Sequence, residues 1–396
     1  MPDHSKPLQG IRVVDITLYV TGPLTTQSLS DCGAEVIKVE TRSRLGARGM
    51  QGSVGGGLQQ STGKLSVTLN FAAPKGLELL YRLVATSDIV VENHAGGVLQ
   101  RRGIGYEDLA RVKPDVIMLS SCMQGQTGPY AEHAASGHKL TALSGFNEIA
   151  GWPDREPGWI GAYTDFIAPR FNVIAILAAL DHRNRTGQGQ YLDVSQNEAG
   201  MQFMAPSIID YTANGRVATR VGNRCSRAVP HNAYRCLGED RWCTIAVFDD
   251  HEWGCLCEAI GNPKLATDPR FSTLLDRKEN ESTLDGIVEA WTSMRSAEEV
   301  MTILQRSGVP AGIVETAQDQ LDFDPQLKHR GFFRELEFPN IGKYHTSLGA
   351  NFLLSRYEFK PTRGPLLGEH NKYVFREILG LSESEYNAMV DEKVIY

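Results

Sequence analysis

Residues 11–40 read IRVVDITLYVTGPLTTQSLSDCGAEVIKVE, and the order of elements within them decides the fold class. Residues 11–16 are a short β-branched run, Gly22-Pro23 breaks it, 24–32 has helical spacing, Gly33 ends that stretch, and 35–39 is a second apolar run. That is one strand–helix–strand unit. The pattern repeats downstream. Residues 74–85 open on Pro74, suited to a first helical turn, and carry Leu77, Leu79, Leu80, Leu83 and Val84. Ile89-Val90-Val91 then reads as a strand, as does 115–120 after Pro114. Such alternation predicts an α/β fold with a mainly parallel sheet and helices on both faces.

A Gly- and Trp-containing stretch at 151–161 leads into the most apolar helix, 169–180, whose all-round hydrophobic composition predicts full burial. A turn at 186–189, a strand at 191–194 and a helix starting at Ser195 follow. From about Asn223 the chain becomes richer in charge and mixes short strand-like pieces such as 242–247 with amphipathic helices. The expected division is a large domain from 1–222, a small domain at 223–322, and a linker with a C-terminal return over 323–396.

Composition narrows the function. With 40 basic and 47 acidic side chains the net charge is -7, which argues against a nucleic-acid partner. The longest apolar run, 171–180, is too short for the ~20 residues that span a bilayer, so no membrane association is expected. Residues 1–10 are polar, and no secretory signal is expected there. Seven scattered cysteines lack metal-ligand spacing, so the expectation is no metal and the reduced thiols of a cytoplasmic protein. The 39 glycines among 396 residues exceed the ~7% average and indicate many tight turns.

Several short motifs fail on inspection. Glu40 ends the second strand where a ribose ligand would sit, but the turn at 17–23 has one glycine where a dinucleotide fingerprint needs three, and Pro23 removes a backbone donor. Residues 57–64 (GLQQSTGK) have P-loop-like content with the spacing one residue too long and Leu65 in place of the magnesium-binding hydroxyl. His251-Glu252 lacks the second histidine of a zinc helix, and Asp249 or Asp250 reads as a cap. No G-x-S-x-G elbow occurs.

Two basic groups lie after strands: Arg42, Arg44 and Arg48, and then Arg101-Arg102. In an open α/β sheet such loops hold ligands, and arginines there suit a nucleotide phosphate, although a solvated charged surface accounts for them equally. Asp165, in AYTDF before the apolar helix, is either a helix cap or a partly desolvated carboxylate nucleophile between aromatic residues. Spacing alone leaves both open.

Taken in order, residues 8–15 (LQGIRVVD), Gly22-Pro23, 33–40 (GAEVIKVE), Val91-Glu92-Asn93, 125–130 (GQTGPY), 186–190 (TGQGQ), 308–312 (GVPAG) and 364–370 (GPLLGEH) resemble the class III coenzyme A transferases, the family of formyl-CoA transferase and the carnitine CoA-transferases. The likeness runs over nearly the whole chain. It implies a Rossmann-like large domain built from both chain ends, a smaller α+β domain between, and an interlocked dimer. It also implies that Asp165 is the nucleophile, passing through a mixed anhydride and an aspartyl-CoA thioester.

Coenzyme A thioesters and carboxylic acids enter as substrates, with no separate cofactor. By the same resemblance Arg101 matches an adenosine-phosphate arginine, Asn93 and His94 match the loop lining the nucleotide, and Arg42 lies one residue beyond a family arginine position held here by Thr41. His138 is placed to contact the acceptor or the thioester. Tyr163, Phe166 and Trp159 are expected walls that exclude water.

A family glutamine in the first loop is replaced by Val20, and neither the acidic residue near Gly137-His138 nor the glycine-rich lid near 224–232 is present. Formyl-CoA and oxalate are therefore not the expected substrates. The TDF and PRF variants around the apolar helix are closer to transferases of larger acids that use succinyl-CoA, such as the benzylsuccinate enzymes, and Arg170 could pair with a second carboxylate or serve a structural ion pair. The resemblance implies a homodimer or a heteromer with a homologous subunit. The rival readings are an acyl-CoA racemase or epimerase, in which Asp165 works with a histidine on an α-proton, and a non-catalytic CoA-binding subunit.

Overall fold

The structure, a computed structural model, describes residues 6–41, 60–133, 136–339, 341–346 and 352–396. The chain forms two compact units: 1–147 with 160–218 and 328–396, and 148–159 with 219–327. The smaller unit thus takes in 148–159, read above with the first part of the chain.

The larger unit is built on six parallel strands, β1 (Arg12–Asp15), β2 (Glu35–Glu40), β3 (Leu65–Thr68), β4 (Ile89–Glu92), β5 (Ile117–Cys122) and β6 (Tyr191–Ser195). They lie in the order β3-β2-β1-β4-β5-β6, all pairs parallel. The order reverses between β1 and β4, and ligands in such sheets bind at the carboxyl ends of the strands beside that switch. Successive side chains of a strand point to opposite faces, so both faces are apolar. Val13, Val36, Ile89, Val91, Ile117 and Leu119 pack on one side with Leu29 of α1 (Thr21–Asp31) and with Ile176 and Ala179 of a 23-residue helix, Thr164–Thr186. Val14, Ile37, Val90 and Met118 pack on the other with Leu80 and Leu83 of α2 (Pro74–Ala85), Leu109 of α3 (Tyr106–Val112) and the C-terminal segment.

That segment explains the motif at 364–370. β3 is an edge strand of four residues that the sequence reading does not contain. Its free backbone groups are covered, as an edge requires. His370 N–H donates to Ser66 O (3.0 Å), Ser66 N–H to His370 Nδ1 (3.2 Å) and Thr68 N–H to Asn371 Oδ1 (2.9 Å). Phe375 and Ile395 then enter the core beneath it.

Two helices in the second half of this unit matter for the site: α4 (Gly137–Leu143) and α5 (Thr164–Thr186). α5 ends at Gly187, whose φ of 75° is a left-handed conformation that favours glycine. The expectation of full burial for this helix is corrected. Ile176, Ala179 and Leu180 are buried, but Phe166, Ile174 and Leu177 on the far side are exposed, because the sheet and α1 cover only one flank within the single chain. β6 is followed by α6 (Gln196–Met201), capped by Ser195, whose Oγ accepts from Glu198 N–H at 3.2 Å. α7 (Ala205–Asn214) then has no buried residue, and Ile208, Ile209 and Tyr211 are exposed on it.

The smaller unit folds on its own core. β7 (His231–Arg235), β8 (Trp242–Ala246) and β9 (Ala311–Ile313) form an antiparallel sheet against α8 (Asp250–Ala259), α9 (Glu281–Thr292) and α10 (Ala297–Arg306). Trp253, Leu256, Phe271, Val288 and Val300 are buried there. Asp249 caps α8 through Oδ1 to Glu252 N–H (2.8 Å), as its position suggested. All seven cysteines are free thiols.

Candidate active site

The carboxyl edge of the sheet is organised by one buried ion pair. Asp15, the last residue of β1, meets Lys64 Nζ at 3.0 Å with both side chains fully buried. Lys64 also donates to Pro23 O (2.9 Å) and Thr26 Oγ1 (2.7 Å), and Asp15 Oδ1 accepts from Thr17 N–H (2.9 Å). Burial lowers Lys64 to about 8 against the opposing pull of Asp15. Burial works against Asp15 as well, yet Lys64 and Lys38, with the hydroxyls of Thr17 and Thr26, hold its carboxyl below the ordinary range. So the lysine of the P-loop-like segment ties β1 to the first turn of α1; residues 57–59 of that segment lie outside the described residues.

The turn joining β1 to α1 is under strain. Tyr19 has φ 61°, a left-handed conformation costing a bulky residue about 1–3 kcal/mol. It is held by Asn93, directly after β4, which accepts from Leu18 N–H and donates to Leu18 O, both at 2.7 Å. The turn delivers Thr21.

Asp165 lies in the first turn of α5, where its backbone N–H reaches Ala162 O at 3.0 Å. Its side chain does not cap the helix; it faces the elements that follow β1, β5 and β6. Gln196 Nε2, directly after β6, donates to Asp165 Oδ1 and to Thr164 Oγ1, the latter at 3.2 Å. The Thr21 hydroxyl lies 3.2 Å from Gln196 Oε1 and 3.5 Å from Asp165 Oδ1. Across from it, the Cα of Gly137 is so close that a Cβ there would stand 2.5 Å from the Asp165 carboxyl atoms. Two turns along α5, the buried Asn172 donates to Thr25 Oγ1 and Ser121 Oγ, both at 2.9 Å, which fixes the register of α5 on α1.

Burial raises the Asp165 carboxyl above 3.8, opposed by its hydrogen bonds from Gln196 and Thr21 and by the nearby charge of His138. Among the described residues Oδ2 has no hydrogen bond, whereas Oδ1 is held. A carboxylate with one oxygen fixed, the other free of hydrogen bonds, and reduced solvation is suited to nucleophilic attack.

The other expected residues divide. His138 sits in α4 close enough for its charge to act on Asp165. Arg101, in a short turn after β4, is 60% exposed in its side chain and pairs with Glu132 at 3.1 Å. Asn93 spends its amide on Leu18. His94 is buried, with Nδ1 3.1 Å from Glu92 Oε2. Gln126 N–H donates to Asp193 Oδ1 at 3.0 Å while its amide accepts from Gly97 N–H at 3.2 Å, joining the loops after β4 and β5. Arg42, with Arg44 and Arg48, lies outside the described residues. Arg170 donates to Ser28 Oγ of α1 at 3.3 Å. Of the expected walls, Tyr163 and Phe166 are 46% and 54% exposed, and Trp159 belongs to the smaller unit. Among the described residues no cluster of His, Cys, Asp or Glu could hold a metal ion.

Sequence reading missed Thr21, Gly137 and Gln196. Gln196 directly follows β6, yet nothing in the local sequence of any of the three shows that it meets Asp165.

The sequence profile described as CoA-transferase family III matches residues 8–371. A succinyl-CoA–D-citramalate CoA-transferase of Chloroflexus aurantiacus is 34% identical over 98% of each chain. A succinyl-CoA:glutarate CoA-transferase of Mus musculus is 30% identical over 99% of this chain and 91% of its own. The crystal structure of a CaiB/BaiF family protein from Brucella suis superposes with a TM-score of 0.86 at 32% identity, covering 94% of this chain and 99% of the other.

Proposed function

We propose that this chain, which belongs to CoA-transferase family III, moves coenzyme A from succinyl-CoA to a dicarboxylic acid with Asp165 as its nucleophile. The observation that carries the reading is the Asp165 carboxyl itself: partly desolvated, at the carboxyl edge of the sheet, with Oδ1 held and Oδ2 without a hydrogen bond among the described residues. The relatives named for citramalate and glutarate support a dicarboxylic acceptor, and benzylsuccinate, also a dicarboxylic acid, belongs in the panel to be tried.

In this reading Asp165 Oδ2 attacks the thioester carbonyl, the C–S bond breaks, and coenzyme A leaves as a thiolate carrying the electron pair. The thiolate then attacks Asp165 Cγ, the Cγ–Oδ2 bond breaks, and the donor leaves as a carboxylate containing Oδ2. The aspartyl-CoA thioester remains, and the acceptor carboxylate runs the two steps in reverse. Arg101 would hold a phosphate of the nucleotide, its exposed guanidinium exchanging Glu132 for the phosphate. Arg42 and the loop of Asn93 and His94 would line the same moiety, and His138 would meet the acyl group. Exposed Ile174, Leu177, Ile208 and Ile209 would be covered by a second copy or a homologous subunit.

The test is mass spectrometry of protein incubated with succinyl-CoA and trapped with hydroxylamine or borohydride. A covalent change on the Asp165 peptide, absent in Asp165→Asn, is expected. An unmodified peptide with exchange of a substrate α-hydrogen in deuterated water would establish instead the racemase reading, which the nearness of His138 to Asp165 favours. Full activity of the intact complex in Asp165→Ala would make the chain a non-catalytic subunit.

A further inference from the structure

We propose that Gln196 is a catalytic residue: its side-chain amide holds the oxyanion that forms on the Asp165 carboxyl itself when coenzyme A thiolate or the acceptor carboxylate attacks Cγ. This rests on the reading of Asp165 as nucleophile and assigns its two oxygens different fates.

An ionised carboxylate only accepts hydrogen bonds, so the nitrogen end of the amide must face it. The observed arrangement agrees: Nε2 donates to Oδ1, while Oε1 is turned to the Thr21 hydroxyl at 3.2 Å. The amide is also fixed. Gln196 is 4% exposed, its Nε2 is shared with Thr164 Oγ1 at 3.2 Å, and its backbone starts α6 at the end of a sheet strand. A donor held this way needs no reorganisation during the reaction.

The chemistry gives the bond a direction. In the first step charge leaves Asp165 through Oδ2, and a donor on Oδ1 does not help. When the thiolate attacks Cγ, the C–S bond forms, the carbonyl π pair moves to Oδ1, and that oxygen carries a full negative charge. The pair then returns as the Cγ–Oδ2 bond breaks and the donor carboxylate departs. Acceptor attack on the thioester repeats this at the same oxygen, with the thiolate as leaving group. Oδ1 never leaves Asp165, and in every tetrahedral species at Cγ it carries the charge. The hydrogen bond from Gln196 is thus stronger in those transition states than in the resting carboxylate, which is the condition for a contribution to rate.

The experiment follows formation of the CoA adduct on the Asp165 peptide by quenched-flow mass spectrometry, with wild type, Gln196→Met and Asp165→Asn mixed with succinyl-CoA. Gln196→Met keeps the length and removes the donor. The adduct is expected to form at least about a hundredfold more slowly, in the range for loss of one oxyanion donor. The KM for succinyl-CoA is expected to move less than about threefold. Adduct formation within threefold of wild type, with the adduct still absent in Asp165→Asn, would overturn the role of Gln196 and leave Asp165 as nucleophile. CoA transfer by Asp165→Asn would instead remove the nucleophile and this inference together. If Gln196→Met does not fold, Gln196→Glu is measured at pH 8, where its carboxylate cannot donate. The same slowing is expected, with partial recovery as the pH is lowered and the side chain regains a proton. A wild-type rate in that variant at pH 8 overturns the proposal as well.

Discussion

Gly137 and Asp165, 28 residues apart in the chain, approach so closely that a Cβ on residue 137 would lie 2.5 Å from the carboxyl carbon and both oxygens of Asp165. The contact is steric. Residue 137 is fixed in the backbone of α4, so a methyl group there would push the Asp165 carboxyl aside. Gly137→Ala is therefore expected to shift the carboxyl by a fraction of an ångström to an ångström, a displacement that costs about a hundredfold in kcat. Steady-state kinetics with succinyl-CoA and a thermal melt check it: kcat should collapse while the melting midpoint moves little.

Asp165 is raised above 3.8 by burial, so the acid limb of kcat/KM should fall at a higher pH than an ordinary carboxylate would give. The same shift acts on stability. A carboxyl whose folded pKa is raised contributes stability that is full below its unfolded value and lost as the pH climbs through the folded value. Asp165→Asn removes that loss. Its melting midpoint should exceed that of wild type at neutral pH, and the difference should vanish toward pH 4; equal midpoints at pH 7 would contradict the shift.

Lys64→Met leaves the Asp15 carboxylate buried without its partner, and breaking such a pair costs about 3–5 kcal/mol. Replacing both, as Asp15→Leu with Lys64→Met, should recover most of that in urea unfolding. Activity should not return with it, since Asp15 and Lys64 together fix the turn that presents Thr21 to Gln196.

Arg101→Ala loses only an exposed pair with Glu132, so stability should hardly change. The KM for CoA esters should rise, and the rise should shrink as salt is added, because the lost contact is ionic. An unchanged KM would remove Arg101 from the nucleotide site.

Much of this was legible in the residues alone. The unit at 11–40, the amphipathic pattern of 74–85 and the apolar runs at 89–91 and 115–120 carry the alternation expected of a two-faced parallel sheet, and the structure has that sheet. Motif order identified the family. The four-residue strand Leu65–Thr68 was not legible, because its edge is completed by His370 and Asn371 some three hundred positions away.

The site divides in the same way. Sequence by itself determined the element types and singled out Asp165, since local propensity, periodicity and motif order are properties of neighbouring residues. Only tertiary structure decided that Thr21, Gly137 and Gln196 meet that carboxyl, that Asn93 clamps Leu18, and that one flank of α5 is left open. Those facts depend on which strand ends lie side by side in the sheet, and a linear spacing carries no record of a distance in space.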